Sequence, residues 1–87
     1  MKFNDVFFNK EYKFSIGVES ESGKNYLSIP VSNGIVDYEE YYEISENQFS
    51  SYQKMPSTAI EFLDKCRARQ LDNLLIMKPG NNRGVAC

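Results

Sequence analysis

Apolar and polar residues alternate strictly from Tyr12 to Val18, with Tyr12, Phe14, Ile16 and Val18 on one side and Lys13, Ser15 and Gly17 on the other. This is the pattern of a half-buried strand. The same period returns from Tyr26 to Ser32, where Leu27, Ile29 and Val31 face inward, and from Ile35 to Ile44, where Val36, Tyr38, Tyr42 and Ile44 share that face. The polar run Glu19 to Asn25, with Gly23 inside it, is the loop between the first two strands. Asn33-Gly34 between the second and third predicts a two-residue type I′ turn, because Asn and Gly supply positive φ at low cost. That turn sets a register in which Val31 faces Val36, Ile29 faces Tyr38, Ser28 faces Glu39 and Tyr26 faces Tyr41. Pro30 removes one ladder donor and so predicts an edge position or a bulge. Phe3 to Phe8 is apolar without a clean period, an extended segment that covers the sheet or pairs at its edge.

Three signals start a helix over Ser45 to Lys54: Ser45 as N-cap, Gln48 three residues later to complete a capping box, and Ile44 with Phe49 as a hydrophobic staple. Met55-Pro56-Ser57 interrupts it, and Pro56 suits the first turn of a second helix running to about Asp72. Ala59, Phe62, Leu63, Cys66 and Gln70 cluster on one side of that helix, an apolar stripe suited to packing on a sheet. Leu74 to Met77 reads as a short last strand or a buried extended segment, Pro79-Gly80 ends it, and Asn81 to Cys87 as a turn and loose tail. The expected fold is α+β: an antiparallel meander of three or four strands followed by two helices on one face, in a single domain of residues 1–87.

One position breaks the alternation. Glu40 falls on the core face, opposite Leu27 in the predicted register, where an unpaired carboxylate is costly. A bulge near Glu39 and Glu40 is the favoured resolution, ahead of an open sheet end or a cation that meets the carboxylate.

The net charge of −2 hides an asymmetry. From Ile35 to Asp64 seven acids face Lys54 alone, whereas from Lys65 to Cys87 five basic residues face only Asp72. Several chemistries drop out at once. There is no His, so the commonest general base and metal ligand is missing, and two distant cysteines make neither a zinc site nor a disulfide framework. The acids lack EF-hand spacing, and Pro79 to Gly84 lacks the lysine and following helix of a phosphate loop. Lys65, Arg67 and Arg69 carry no interleaved aromatic platform and read as a solvated helix face rather than a nucleic-acid contact. No enzyme, metal or cofactor is expected. No apolar run approaches the roughly 18 residues of a membrane span, and the first residues lack a signal-peptide core, so a cytoplasmic protein without a membrane partner is expected.

What remains is the second face of the third strand: Asp37, Glu39, Tyr41 and Glu43, with Tyr26 paired to Tyr41 and Glu40 splayed toward them by the bulge. Like charges repel, so stability alone does not select this arrangement, although charge on an exposed face also protects a sheet from aggregation. Tyrosine beside carboxylates is the composition of a protein contact for a basic partner, and Asp37, Glu39, Glu40, Tyr41, Glu43 and Tyr26 are the candidate partner-binding residues.

With NGIVDYEEYYEIS, FLDKCRARQLDNLLIMKPGNNRG and its small size together, the chain resembles the small cytosolic immunity proteins encoded beside bacterial polymorphic toxins, including those of contact-dependent growth inhibition. That resemblance is one of style, since these proteins share no motif. It implies a non-enzymatic antitoxin that occupies the basic groove of a cognate nuclease toxin, with Asp37, Glu39, Tyr41 and Glu43 standing where phosphates would lie. The alternative is a phage or mobile-element nucleic-acid mimic, or an adaptor, that inhibits a host protein.

Overall fold

The computed structural model describes residues 1–87. Strands β1 (Phe3–Asn9), β2 (Phe14–Glu19), β3 (Asn25–Ser32) and β4 (Asp37–Glu43) form an antiparallel meander in the order β1-β2-β3-β4. Helices α1 (Glu46–Lys54) and α2 (Ile60–Arg67) follow, joined by a 3-10 turn over Pro56–Ala59, and the short β5 (Val85–Ala86) returns to pair with β3. The fold is α+β. Phe14, Ile16, Leu27, Ile29, Tyr42 and Ile44 of the sheet side meet Tyr52, Ala59, Leu63 and Cys66 of the helical layer in one buried cluster. Each Leu, Ile or Phe side chain of this cluster removed from water contributes about 1.5–3 kcal/mol before ordering costs.

Local chemistry explains the elements that arrive as expected. Ser45 Oγ accepts the Gln48 N–H at 3.1 Å and Gln48 Oε1 accepts the Ser45 N–H at 2.8 Å, so two orphan donors at the start of α1 are satisfied. Tyr12, expected in β2, lies instead in the β1–β2 turn, where Lys13 takes a positive φ of 57° and Asn9 Oδ1 accepts the Tyr12 N–H.

The β3–β4 turn is displaced by one residue from the expected position. Its central residues are Gly34, at φ 86°, and Ile35, while Asn33 flanks them and its Oδ1 accepts the N–H groups of both Ile35 and Val36 at 2.9 Å. Glycine first with positive φ, followed by a residue without it, is the type II′ arrangement. The register therefore moves by two: Tyr26 faces Glu43, Ser28 faces Tyr41, Ile29 faces Glu40 and Val31 faces Tyr38. A shift of two preserves the faces, so Leu27, Ile29, Val31, Tyr38 and Tyr42 still share one side, whereas Val36 leaves the core for the exposed turn.

Three other expectations are corrected. The β3–β4 ladder runs without interruption past Glu40, and the sheet's bulge lies in β1 between Asp5 and Phe7, where it destroys the period of that segment. Helix α2 stops at Arg67, well before Asp72, because Arg69 adopts the left-handed conformation at φ 59°. The Gln70 N–H then reaches Lys65 O and the Arg69 N–H reaches Cys66 O, a Schellman closure built without glycine. Leu74 to Met77 is not the last strand: Leu74 and Leu75 pack half-buried against the core, Leu75 bridges Tyr42 and the Ile76 N–H bonds Tyr41 O, while the last strand forms inside the supposed loose tail. Pro30 fits its local setting: β2 pairs with β3 only up to Ser28 and β5 only from Val31, so the missing N–H falls in the gap between them.

Candidate functional site: the two faces of strand β4

Successive side chains of β4 point to opposite sides of the sheet, and the two sides treat charge differently. On the helical side, Glu40 is 7% exposed. Arg83 reaches it from the tail, with Nε 2.8 Å from Oε2 and an Nη donor 3.2 Å from Oε1, while the Tyr42 hydroxyl lies 3.1 Å from Oε1. The other side of the same guanidinium holds Asp72 in two bonds, at 2.7 and 2.9 Å, and holds its carboxyl below the usual range. These bonds to Asp72 and Glu40 raise the Arg83 pKa further above its already high value. Glu40 is thus a structural acid met by a cation, not a bulged surface residue. The tail that carries Arg83 is fixed beside it: Tyr38 Oη accepts the Gly84 N–H at 2.6 Å, Arg69 donates to Gly84 O, and a Cβ on Gly84 would collide with the Ser32 backbone.

On the opposite side, Phe3 of β1 stacks on Tyr41 of β4 with ring centroids 3.7 Å apart and planes 12° from parallel. Three strand spacings would hold β1 and β4 about 14 Å apart in a flat sheet, so the sheet is coiled and this face is concave. Tyr26 is fully buried beneath the pair, edge-on to both rings, and its hydroxyl donates to Asp5. Burial, then the bond to Asp5, pushes the Tyr26 phenol well above its ordinary range. Gly17 makes room for that ring, since a Cβ there would overlap it.

Glu39 is half-buried and accepts one hydrogen bond, from Ser28 Oγ at 2.9 Å. Loss of water raises its pKa, the Ser28 bond opposes the rise, and the Asp5 charge adds to it. Burial likewise raises Tyr41, followed by the charges of Glu39 and Asp5. Asp37 is exposed, and neither Asp37 nor Glu39 makes an ion pair; Glu43 has Lys24 at 3.5 Å. Lys10 and Lys13 line a cleft of about 630 Å³ with Asp5 and Glu39 but pair with neither.

Of the six candidate contact residues, the concave face therefore brings Asp37, Glu39, Tyr41 and Glu43 together with access to solvent. It removes Tyr26, a fully buried core residue of that face, and Glu40, which lies on the other side under Arg83. Phe3 and Asp5 are the members that sequence reasoning missed, and Ser28, set opposite Glu39 in the expected register, was not named as part of the contact. Phe3 and Asp5 sit ahead of a bulge in a segment without a period. No cluster of three or more His, Cys, Asp or Glu side chains suited to a metal is present, and no helix is long and apolar enough to cross a membrane. Compared with known proteins, the chain matches no family model, no curated protein and no solved structure.

Proposed function

We propose that this chain is a cytoplasmic immunity-type protein that binds a basic protein partner, a cognate toxin domain, through the concave face of β4. The observation that carries the reading is the pair Asp37 and Glu39 beside Tyr41: two carboxylates in no ion pair, next to a Glu40 that is paired with Arg83. A half-desolvated carboxylate held above its ordinary pKa is one that an arriving Lys or Arg stabilises. Tyr41 adds a rigid aromatic surface to the contact, already set in place by Phe3. No reaction is required of the chain. Its effect is occlusion, with charge steering the encounter.

The test is to look for a toxin domain encoded beside this gene, then to co-express the chain with it and titrate the two by calorimetry. The wild-type chain is expected to protect and to bind with a salt-sensitive on-rate, and Asp37→Lys with Glu39→Lys to lose affinity by at least about 100-fold at unchanged fold. Tyr41→Ala is the poorer probe, because it also removes the stack that seats β1. Full protection by the double charge reversal would overturn the reading.

A further inference from the structure

Strand β4 is an edge of the sheet, and part of that edge is open. In the β3–β4 ladder the even-numbered residues from Val36 to Ile44 exchange backbone bonds with the β3 side, as Ile44 N–H to Asn25 O and Asn33 N–H to Val36 O show. The odd-numbered residues direct theirs outward. Tyr41 O is taken by the Ile76 N–H, but the N–H and C=O groups of Asp37 and Glu39 and the N–H of Tyr41 have no protein partner. Beside them runs a groove of about 410 Å³, with Tyr38 to Tyr41 as one wall and Met77 to Asn82 as the other.

The opposite edge of the sheet differs. Strand β1 carries its bulge at Val6, a device that interrupts pairing along an edge. Strand β4 has no bulge and no proline over Asp37 to Glu43. Its open groups lie instead in a slot whose far wall is held by the Arg83 clamp and the pairing of β5.

We infer that this slot receives an extended segment of the basic partner, which adds to the sheet as a strand beside Asp37 to Tyr41. The inference rests on the basic-partner reading above and specifies how that partner is held. Charge selects the occupant. A second copy of this chain pairing edge to edge would bring Asp37, Glu39 and Glu43 against their own counterparts, which like-charge repulsion opposes. A segment with Lys or Arg at alternate positions places those side chains beside Asp37 and Glu39 on the concave side. Its intervening residues then fall on the side of Tyr38 and favour small or β-branched apolar types.

The experiment uses the full chain and capped peptides of alternating lysine and valine as the probe. Binding is read by calorimetry, and the edge by amide hydrogen exchange of Asp37, Glu39 and Tyr41. Strand addition predicts saturable binding, at least about tenfold slower exchange at those amides with no change along β1, and at least about tenfold weaker binding of the same peptides N-methylated at alternate residues. Equal binding of the methylated peptides, unprotected edge amides or no binding at all overturns strand addition. Protection of the same amides without peptide, together with dimerisation in light scattering, overturns it in favour of a second copy. The basic-partner reading is judged separately by the charge-reversed chain and the toxin domain, so either can fail alone.

Discussion

Glu39 and Glu40 are neighbours in sequence with the same functional group, and the sheet gives them opposite fates. Glu40 turns toward the helical layer, loses its water and gains Arg83 and the Tyr42 hydroxyl. Glu39 turns toward the concave face, loses part of its water and gains only Ser28. A buried acid whose hydrogen-bond capacity is filled stays in place as architecture, whereas a half-buried acid without a cation remains available to an outside one. The acidic character of a strand is thus set carboxylate by carboxylate, by the partner each one meets, and not by the count of acids in the sequence.

Arg83→Met is expected to cost the most stability. It strands Glu40 at 7% exposure without a cation and frees the tail, for an expected loss of about 3–5 kcal/mol, much of the total of about 5–15 that a small domain has. Urea unfolding followed by circular dichroism measures it. Adding Glu40→Gln to Arg83→Met removes the orphaned charge and is expected to recover at least half of the loss; no recovery would mean that Arg83 acts through Asp72 alone.

Glu19 shows a third fate for a buried acid, held by backbone donors alone. Its carboxylate is 1% exposed and accepts the backbone N–H groups of Lys2, Glu21 and Ser22. Those bonds lower its pKa from 4.5 to about 2. Because the folded value is depressed, the stability it contributes is present above 4.5 and is lost as the pH falls toward about 2. Glu19→Gln is expected to flatten that acid limb, read from unfolding midpoints between about pH 5 and pH 2. Tyr42→Phe is a smaller change. It removes the hydroxyl shared between Glu40 and Cys66 O and is expected to cost about 1.5 kcal/mol in the same unfolding assay, with Arg83 still in place.

Much of the fold was legible because it follows from short-range patterns. Strand alternation placed Leu27, Ile29 and Tyr42 inward, and Ser45 with Gln48 announced the helix start. The turn between β3 and β4 was misplaced by one residue because Asn33 serves as a side-chain acceptor rather than as a left-handed residue, and the dipeptide looks the same in either role. The end of α2 was hidden because its left-handed residue is Arg69, where glycine would have been the signal. Glu40 could be flagged as a misfit from the sequence, but its partner lies 43 residues away in a tail whose order depends on that same pairing. The concave site was half legible: Asp37, Glu39, Tyr41 and Glu43 come from one strand, whereas Phe3 and Asp5 reach them only because the sheet coils.

Neutralising Glu39 is expected to change stability least and to separate it most clearly from Glu40. Glu39→Gln keeps an oxygen acceptor for Ser28 and removes the charge. Because the folded pKa of Glu39 is raised, ionising it costs more in the fold than in the unfolded chain; that penalty is absent at acid pH and grows as the pH rises through the folded value. At neutral pH the substitution is therefore expected to be stabilising, by less than about 1 kcal/mol because the carboxylate is only half-buried and water screens it. Glu40→Gln is expected to move stability the other way, since it takes a charge from a clamp that is complete. Unfolding midpoints of the two single variants at neutral pH, and again near about pH 3 where the Glu39 difference should vanish, decide the matter. A loss of stability in both variants would place Glu39 with Glu40 as architecture and leave the concave face without an acid to offer a partner.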